Sequence, residues 1–169
     1  FPLIDSLCEF CRPSYKKAKE LRLKETLDAF NLKNDLEFFT YDKVIDSSCN
    51  LRRPDFVYDF GTHFVVVECD EFQHNRGAYH GCEQVRMWQV RQALGLPCIF
   101  IRFNPDSFKT VNKAVRISDN KRDVILLRWL NYLRSEEPLW SCSTLYLFYD
   151  DWEERFSKVS ELKHPVLAI

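Results

Sequence analysis

Apolar positions along the chain follow two periods. From Ser14, which stands as an N-cap, Ala18, Leu21, Leu23, Leu27 and Phe30 recur at helical spacing with Lys and Glu between them. Residues 36–45, LEFFTYDKVI, predict a strand, and a polar loop follows over 46–52. Apolar runs at 54–60 and 63–70 read as two strands joined at Gly61-Thr62. A loop rich in His, Asn and Gly covers 71–81. The helix predicted over 82–94 stops at Gly95 and Pro97. CIFIRF (98–103) predicts a buried strand, NPDSF a turn into a polar loop, and 121–135 a helix burying Val124, Leu127, Trp129, Leu130 and Leu133. A strand over 143–149 and a helix over 151–162 complete the pattern. The order α-β-β-β-α-β-α-β-α predicts an α/β sandwich, with a mixed sheet of four to five strands flanked by helices.

Composition narrows this picture. The 169 residues are 46% apolar and 15% aromatic, which suits a single folded domain over 1–169. Residues 1–13 read as an irregular, cysteine-containing N-terminal extension, and the start at Phe1 suggests a piece of a longer protein. A net charge of -1 means that nucleic acid would be held by a local basic patch, not by a global field. Seven cysteines make no even disulfide framework, so the expectation is an intracellular, reducing setting, nucleus or cytoplasm. No apolar run approaches the roughly 20 residues of a membrane span.

The two central strands pose the chemical question. They carry Asp55, Asp59, Glu68, Asp70 and Glu71 among residues that should be buried. Gly61-Thr62 suits a two-residue type II′ turn. Phe60 then faces His63 and, counting outward, Asp55 faces Glu68 and Arg53 faces Asp70. Facing carboxylates would have Cβ atoms roughly 5 Å apart and repel each other. Asp70 shares the face of Glu68. Three acids on one face call for a cation, and an all-oxygen site suits Mg²⁺ or Mn²⁺. Asp55, Glu68 and the Cys69 carbonyl are the expected ligands, with Asp70 as a further ligand or the holder of a second ion. The Cys69 thiol should point to the other face. The plainer alternative is an edge hairpin of solvated acids in which Asp70 pairs with Arg53.

Other positions offer weaker signals. Glu25 sits on the first helix, either near the metal or paired with Arg22. Arg52 and Arg53 adjoin the acids and are candidates for DNA phosphate, as is Arg86, which is also spaced to pair with Glu83. Arg102 lies on an apolar strand and needs a carboxylate partner. Lys16, Lys17, Lys19, Arg22 and Lys24 read first as a solvated helix face and second as phosphate contacts. Cys8 and Cys11 have zinc-knuckle spacing, with Cys49, or His80 and Cys82, as further ligands of a structural Zn²⁺. Gln73 and His74 follow the acids, and His74 can take a proton near neutral pH. Cys98, Trp88 and Trp129 read as core.

Pro54-Asp55 followed by Glu68-x-Asp70 resembles the PD-(D/E)XK nuclease superfamily. Glu68-x-Asp70-x-x-x-His74 resembles its subgroup near the very-short-patch-repair endonucleases. RPDF, VVVECDEFQH, CEQVRM, LGLPCIFIRFNPD and LYLFYD, spread over about residues 8–150, are similar to uncharacterised nuclease-like proteins of algae, oomycetes and giant DNA viruses. The resemblance implies a restriction-endonuclease-like core. It further implies a Mg²⁺-dependent DNA endonuclease of homing, repair or mobile-element type that leaves a 5′-phosphate and a 3′-hydroxyl. It implies His74 as the residue acting on water, and double-strand cutting would call for a homodimer. The superfamily lysine two residues after the Glu is replaced here by Asp70. That departure keeps a catalytically weakened DNA-binding module in view as an alternative, and a metal-dependent RNase is another.

Overall fold

The computed structural model describes residues 18–45, 53–71, 80–111 and 113–164. Helix α1 (Ala18–Asn34) leads through β1 (Thr40–Tyr41) into the hairpin of β2 (Phe56–Asp59) and β3 (Phe64–Cys69). Helix α2 (His80–Leu94), β4 (Cys98–Phe103) and a small hairpin, β5 (Phe108–Thr110) and β6 (Lys113–Val115), follow. Helix α3 (Asp119–Leu133), β7 (Cys142–Leu147), a 3₁₀ turn (Glu154–Phe156) and β8 (Ser160–Glu161) end the described chain.

One mixed sheet has the order β1-β2-β3-β4-β7-β8. The pairs β3–β4 and β4–β7 are parallel, and the other three are antiparallel. The sheet therefore has six strands, where four to five are expected from sequence. The surplus comes from edge strands of two residues each, β1 and β8. The expected strand over 36–45 shrinks to β1. No helix among the described residues is long and apolar enough to cross a membrane.

The turn count holds in the hairpin. Phe56 pairs with Val67, Val57 with Val66, Tyr58 with Val65 and Asp59 with Phe64. Gly61 has φ +82°, and the Phe60 N–H donates to the His63 carbonyl at 3.0 Å. A positive φ at the first turn position suits glycine, which has no Cβ to clash.

Strand alternation divides the interior into two layers. On one face, Val65, Val67, Ile99 and Ile101 pack under Leu23 and Leu27 of α1 and Leu126 and Leu130 of α3. On the other, Val57, Val66, Cys98 and Phe100 pack under Met87 and Val90 of α2. Both faces of the central strands are covered, which explains their near-continuous apolar runs. Cys98 and Cys142 are register partners in the second layer, and burial pushes each thiol up to about 12. Trp88 and Trp129 are partly buried at the margins of the two layers.

Three expectations change. Val124 and Leu21 are 57% and 45% exposed, because the buried stripes run through Ile125 and Leu126 in α3 and through Leu23 and Leu27 in α1. The polar loop after β4 contains the β5–β6 hairpin. The helix expected over 151–162 does not form. Asp150 and Asp151 turn their carboxylates to the backbone N–H groups of Lys109 and Val111. Positive φ values at Phe148 and Asp151 break the chain direction there. These acids tie a loop instead of starting a helix.

Candidate functional site

The polar cluster lies where β3 and β4 end, on the face covered by α2. Residues two apart on a strand share a face. Glu68 therefore continues the phase of Val66, Arg102 that of Phe100, and Asp55 that of Val57. Glu68 and Arg102 are direct register partners across the parallel pair. Helix α2 carries Glu83 and Arg86 to the same place, about a turn before Met87 and Val90.

Asp55 lies at the start of β2. One of its oxygens, Oδ2, accepts the Cys69 N–H at 2.8 Å. Burial, and next the charge of Glu68, push its carboxyl up to about 8. Glu68 is 4% exposed. Burial raises its pKa, while Arg86 and then Arg102 act against that rise. Arg86 Nη1 lies 3.1 Å from Glu68 Oε1, and its Nη2 donates to Oε2 at 3.4 Å. The shorter contact is an ion pair out of line for a hydrogen bond, so Oε1 remains a buried acceptor with no hydrogen-bond partner. Arg86 also donates to the Arg53 carbonyl.

Asp70 is held differently. Arg102 grips it with two hydrogen bonds, Nε to Oδ2 at 2.5 Å and Nη2 to Oδ1 at 2.8 Å. The Tyr149 hydroxyl donates to Oδ2 as well. Arg102 Nη2 also reaches Glu83 Oε1 at 2.9 Å, while its Nη1 is buried without a partner. Burial alone would lower the Arg102 pKa. Asp70 outweighs it and holds the guanidinium above its usual range. Burial, and next the charge of Asp70, raise Tyr149.

Both oxygens of Asp70, expected as a further ligand or the holder of a second ion, accept hydrogen bonds from Arg102 and Tyr149, so what the structure shows of it is its hold on Arg102. Arg53 does not pair with it: its Nε meets Asp42 Oδ1 at 2.6 Å, on the loop after β1. Glu83 and Arg86 reach different partners, Arg102 and Glu68. The Cys69 side chain packs toward the α1 layer, opposite the acids, and burial raises its thiol.

The helix acid nearest the site is Glu20, not Glu25. Glu25 is exposed, and Arg22 pairs instead with Asp119 and Asp123. The charge of Glu20 acts on both Asp55 and Cys69, and Glu20 accepts from the Tyr41 hydroxyl. A signal was present in the sequence, since 20, 23, 27 and 31 form one helical stripe that Glu25 leaves. Nothing local marks Tyr149. Gln73, His74, Arg52, Cys8, Cys11 and Cys49 lie outside the described residues, as does the side chain of His80.

No family model, curated protein or solved structure matches the chain.

The donor chemistry fits a hard divalent cation. Two carboxylates close enough for the charge of one to raise the other, one with a buried oxygen that has no hydrogen-bond partner, lie at a strand end where the Cys69 N–H meets Asp55. Among the described residues no three acidic, histidine or cysteine side chains converge as a complete cage. A divalent ion held by two carboxylates would take its other ligands from water and substrate phosphate.

Proposed function

We propose that the chain is a metal-dependent phosphodiesterase acting on DNA, built on a restriction-endonuclease-like core of the PD-(D/E)XK type. One observation carries this reading: the Asp55–Glu68 pair, brought together by the hairpin register and left without a full set of partners. Adjacent buried carboxylates are costly unless a cation answers them. A core that needed only stability would use apolar residues there.

In this reading Asp55, Glu68 and the Cys69 carbonyl hold Mg²⁺ or Mn²⁺. The bound ion supplies Lewis acidity toward a phosphate oxygen and acidifies a water. His74, assisted by Gln73, takes the proton of the attacking water, and the product ends are a 5′-phosphate and a 3′-hydroxyl. Arg86, which meets Glu68 and the Arg53 carbonyl, would be the guanidinium beside the pair that engages a phosphate. Arg102 is fixed by Asp70 and Glu83 with its Nη1 unpartnered. It supplies the fixed positive charge that a lysine at position 70 would otherwise bring. Asp70 is thus a positioning residue for Arg102.

A second reading has its own support. The arginines already answer part of the acidic charge, as they would in a binding module without catalysis. Incubating supercoiled plasmid and labelled DNA and RNA oligonucleotides with Mg²⁺ or Mn²⁺ separates the readings. Cleavage that falls at least about 100-fold in Glu68→Gln, about the scale of losing one electrostatic catalytic group, supports the enzyme. No cleavage with either metal, or equal cleavage by the variant, favours the binding module. RNA cut in preference to DNA would reassign the substrate.

A further inference from the structure

A cavity of about 330 Å³ opens on the α1 side of the sheet, between α1, the β4–β5 connection and the start of α3. Its lining includes Lys19, Arg22, Arg116 and Arg122, with Asp106 and Asp119. Four cations thus face two carboxylates.

Arg122 is the decisive element. It is 1% exposed. Its Nε donates to the Ile117 carbonyl at 3.1 Å, its Nη1 to that of Asn104 at 2.5 Å, and its Nη2 to that of Asp106 at 2.6 Å. Its guanidinium lies 4.8 Å from the Phe148 ring centroid. Every hydrogen bond described for it goes to a neutral carbonyl, and among the described residues no carboxylate lies within ion-pair distance. Burial lowers the Arg122 pKa, and Asp119 and Asp106 act against that without making an ion pair, so an anion in the cavity would add a direct counter-charge.

The rim adds to the same field. Arg116 is exposed and has no ion-pair partner among the described residues. Lys19 pairs with Asp106, and Arg22 with Asp119 and Asp123. The first turn of α3, behind its Ser118 N-cap, contributes Asp119 and Arg122 to the lining and adds its positive dipole end.

The cavity opens at the same end of the sheet as the acid pair, on the α1 face where the pair lies on the α2 face. Asp106 follows β4 by three residues, and β4 carries Arg102. Lys19 precedes Glu20, whose charge acts on Asp55. A polyanion engaged at Asp55 and Glu68 would reach this cationic hollow by passing over that end of the sheet. At about 330 Å³ the hollow is at the small end of ligand pockets and suits a phosphate with part of its sugar.

We infer that this cavity binds a backbone phosphate of the nucleic-acid strand engaged at the acid pair. The inference rests on the proposed function for its ligand, and its test is independent of cleavage. Without divalent metal, inorganic phosphate should raise the melting temperature of the wild-type protein. The shift should vanish in Lys19→Gln/Arg116→Ser, whose side chains lie on the rim. DNA oligonucleotide affinity should fall about tenfold in that variant, and the salt dependence of binding should drop by about one unit per cation removed. Arg116→Ser alone disturbs no ion pair among the described residues and should show about half of the effect if the double variant folds poorly.

An equal phosphate-induced shift in wild type and variants overturns the inference, whatever the cleavage assay gives. A phosphate shift lost without any change in oligonucleotide affinity also overturns it, since the hollow would then take free phosphate and not the strand. A protein that binds phosphate and DNA as expected but cuts nothing keeps this inference and loses the nuclease reading.

Discussion

Glu68 and Asp70 sit two residues apart on one face of one strand end, and both are almost fully buried. Their surroundings are opposite. Asp70 is gripped by Arg102 and Tyr149 through both oxygens. Glu68 has a looser arginine, an acidic neighbour across the hairpin and one oxygen without a hydrogen bond. Burial alone therefore does not separate structural acids from chemical ones. What separates them is whether the polar groups around each are already satisfied.

The sharpest test of this contrast is Asp70→Ala. It would leave Arg102 buried without its main counter-charge, and urea unfolding should show a loss of about 3–5 kcal/mol. Pairing it with Arg102→Met should recover much of that loss. A cost under about 1 kcal/mol for the single change would erase the distinction between the two acids.

Asp55→Asn tests the other half, and its sign is reversed. The amide oxygen can still accept the Cys69 N–H while the repulsion with Glu68 disappears. Metal-free protein should gain about 1–2 kcal/mol, a stabilisation typical when functional strain is relieved. The pH dependence follows from the same group. Its carboxyl ionises near 3.8 in the unfolded chain and near 8 in the folded one. Between those values the unfolded state is the one that releases the proton. Metal-free stability should thus decline as pH rises from about 4 to about 8, and level off beyond. That slope should flatten in Asp55→Asn when melting is followed across the range.

Tyr149→Phe should cost about 1 kcal/mol, the scale of one buried hydrogen bond, since Arg102 still holds Asp70. The smallest effect is expected at Arg128→Ala. Its pair with Glu154 is at the surface, and a change within about 0.5 kcal/mol sets the baseline against which the buried contacts are judged.

What could be read from sequence was local. Two turn residues, Gly61 and Thr62, determine which strand positions face each other, and all four observed pairs follow from that count. The strand ends and the stops at Gly95 and Pro97 are similarly short-range. The partners of Asp70 are 32 and 79 residues away along the chain, beyond the reach of a local pattern. No periodicity reports which strand will lie beside β3. Glu20, in phase with Leu23 and Leu27, is the helix acid whose charge reaches Asp55, while Glu25 leaves that stripe and is exposed. The final helix failed for a tertiary reason, the capture of Asp150 and Asp151 by the β5 segment.

The order of the sheet also has a consequence in time. The β2–β3 contacts close a two-residue turn, and hairpins of this kind form in about 1–10 μs. The parallel partner β4 must first travel past α2, and β7 past α3, so their pairing carries the larger loop-closure cost and comes later. Asp55 and Glu68 should therefore meet while Arg102 is still distant and Asp70 still in water. During that interval the young hairpin is an acidic clip without Arg86 or Arg102 to temper it. Divalent cations would then speed folding as well as stabilise its product, and a refolding rate that rises with Mg²⁺ in wild type but not in Asp55→Asn is the expected trace.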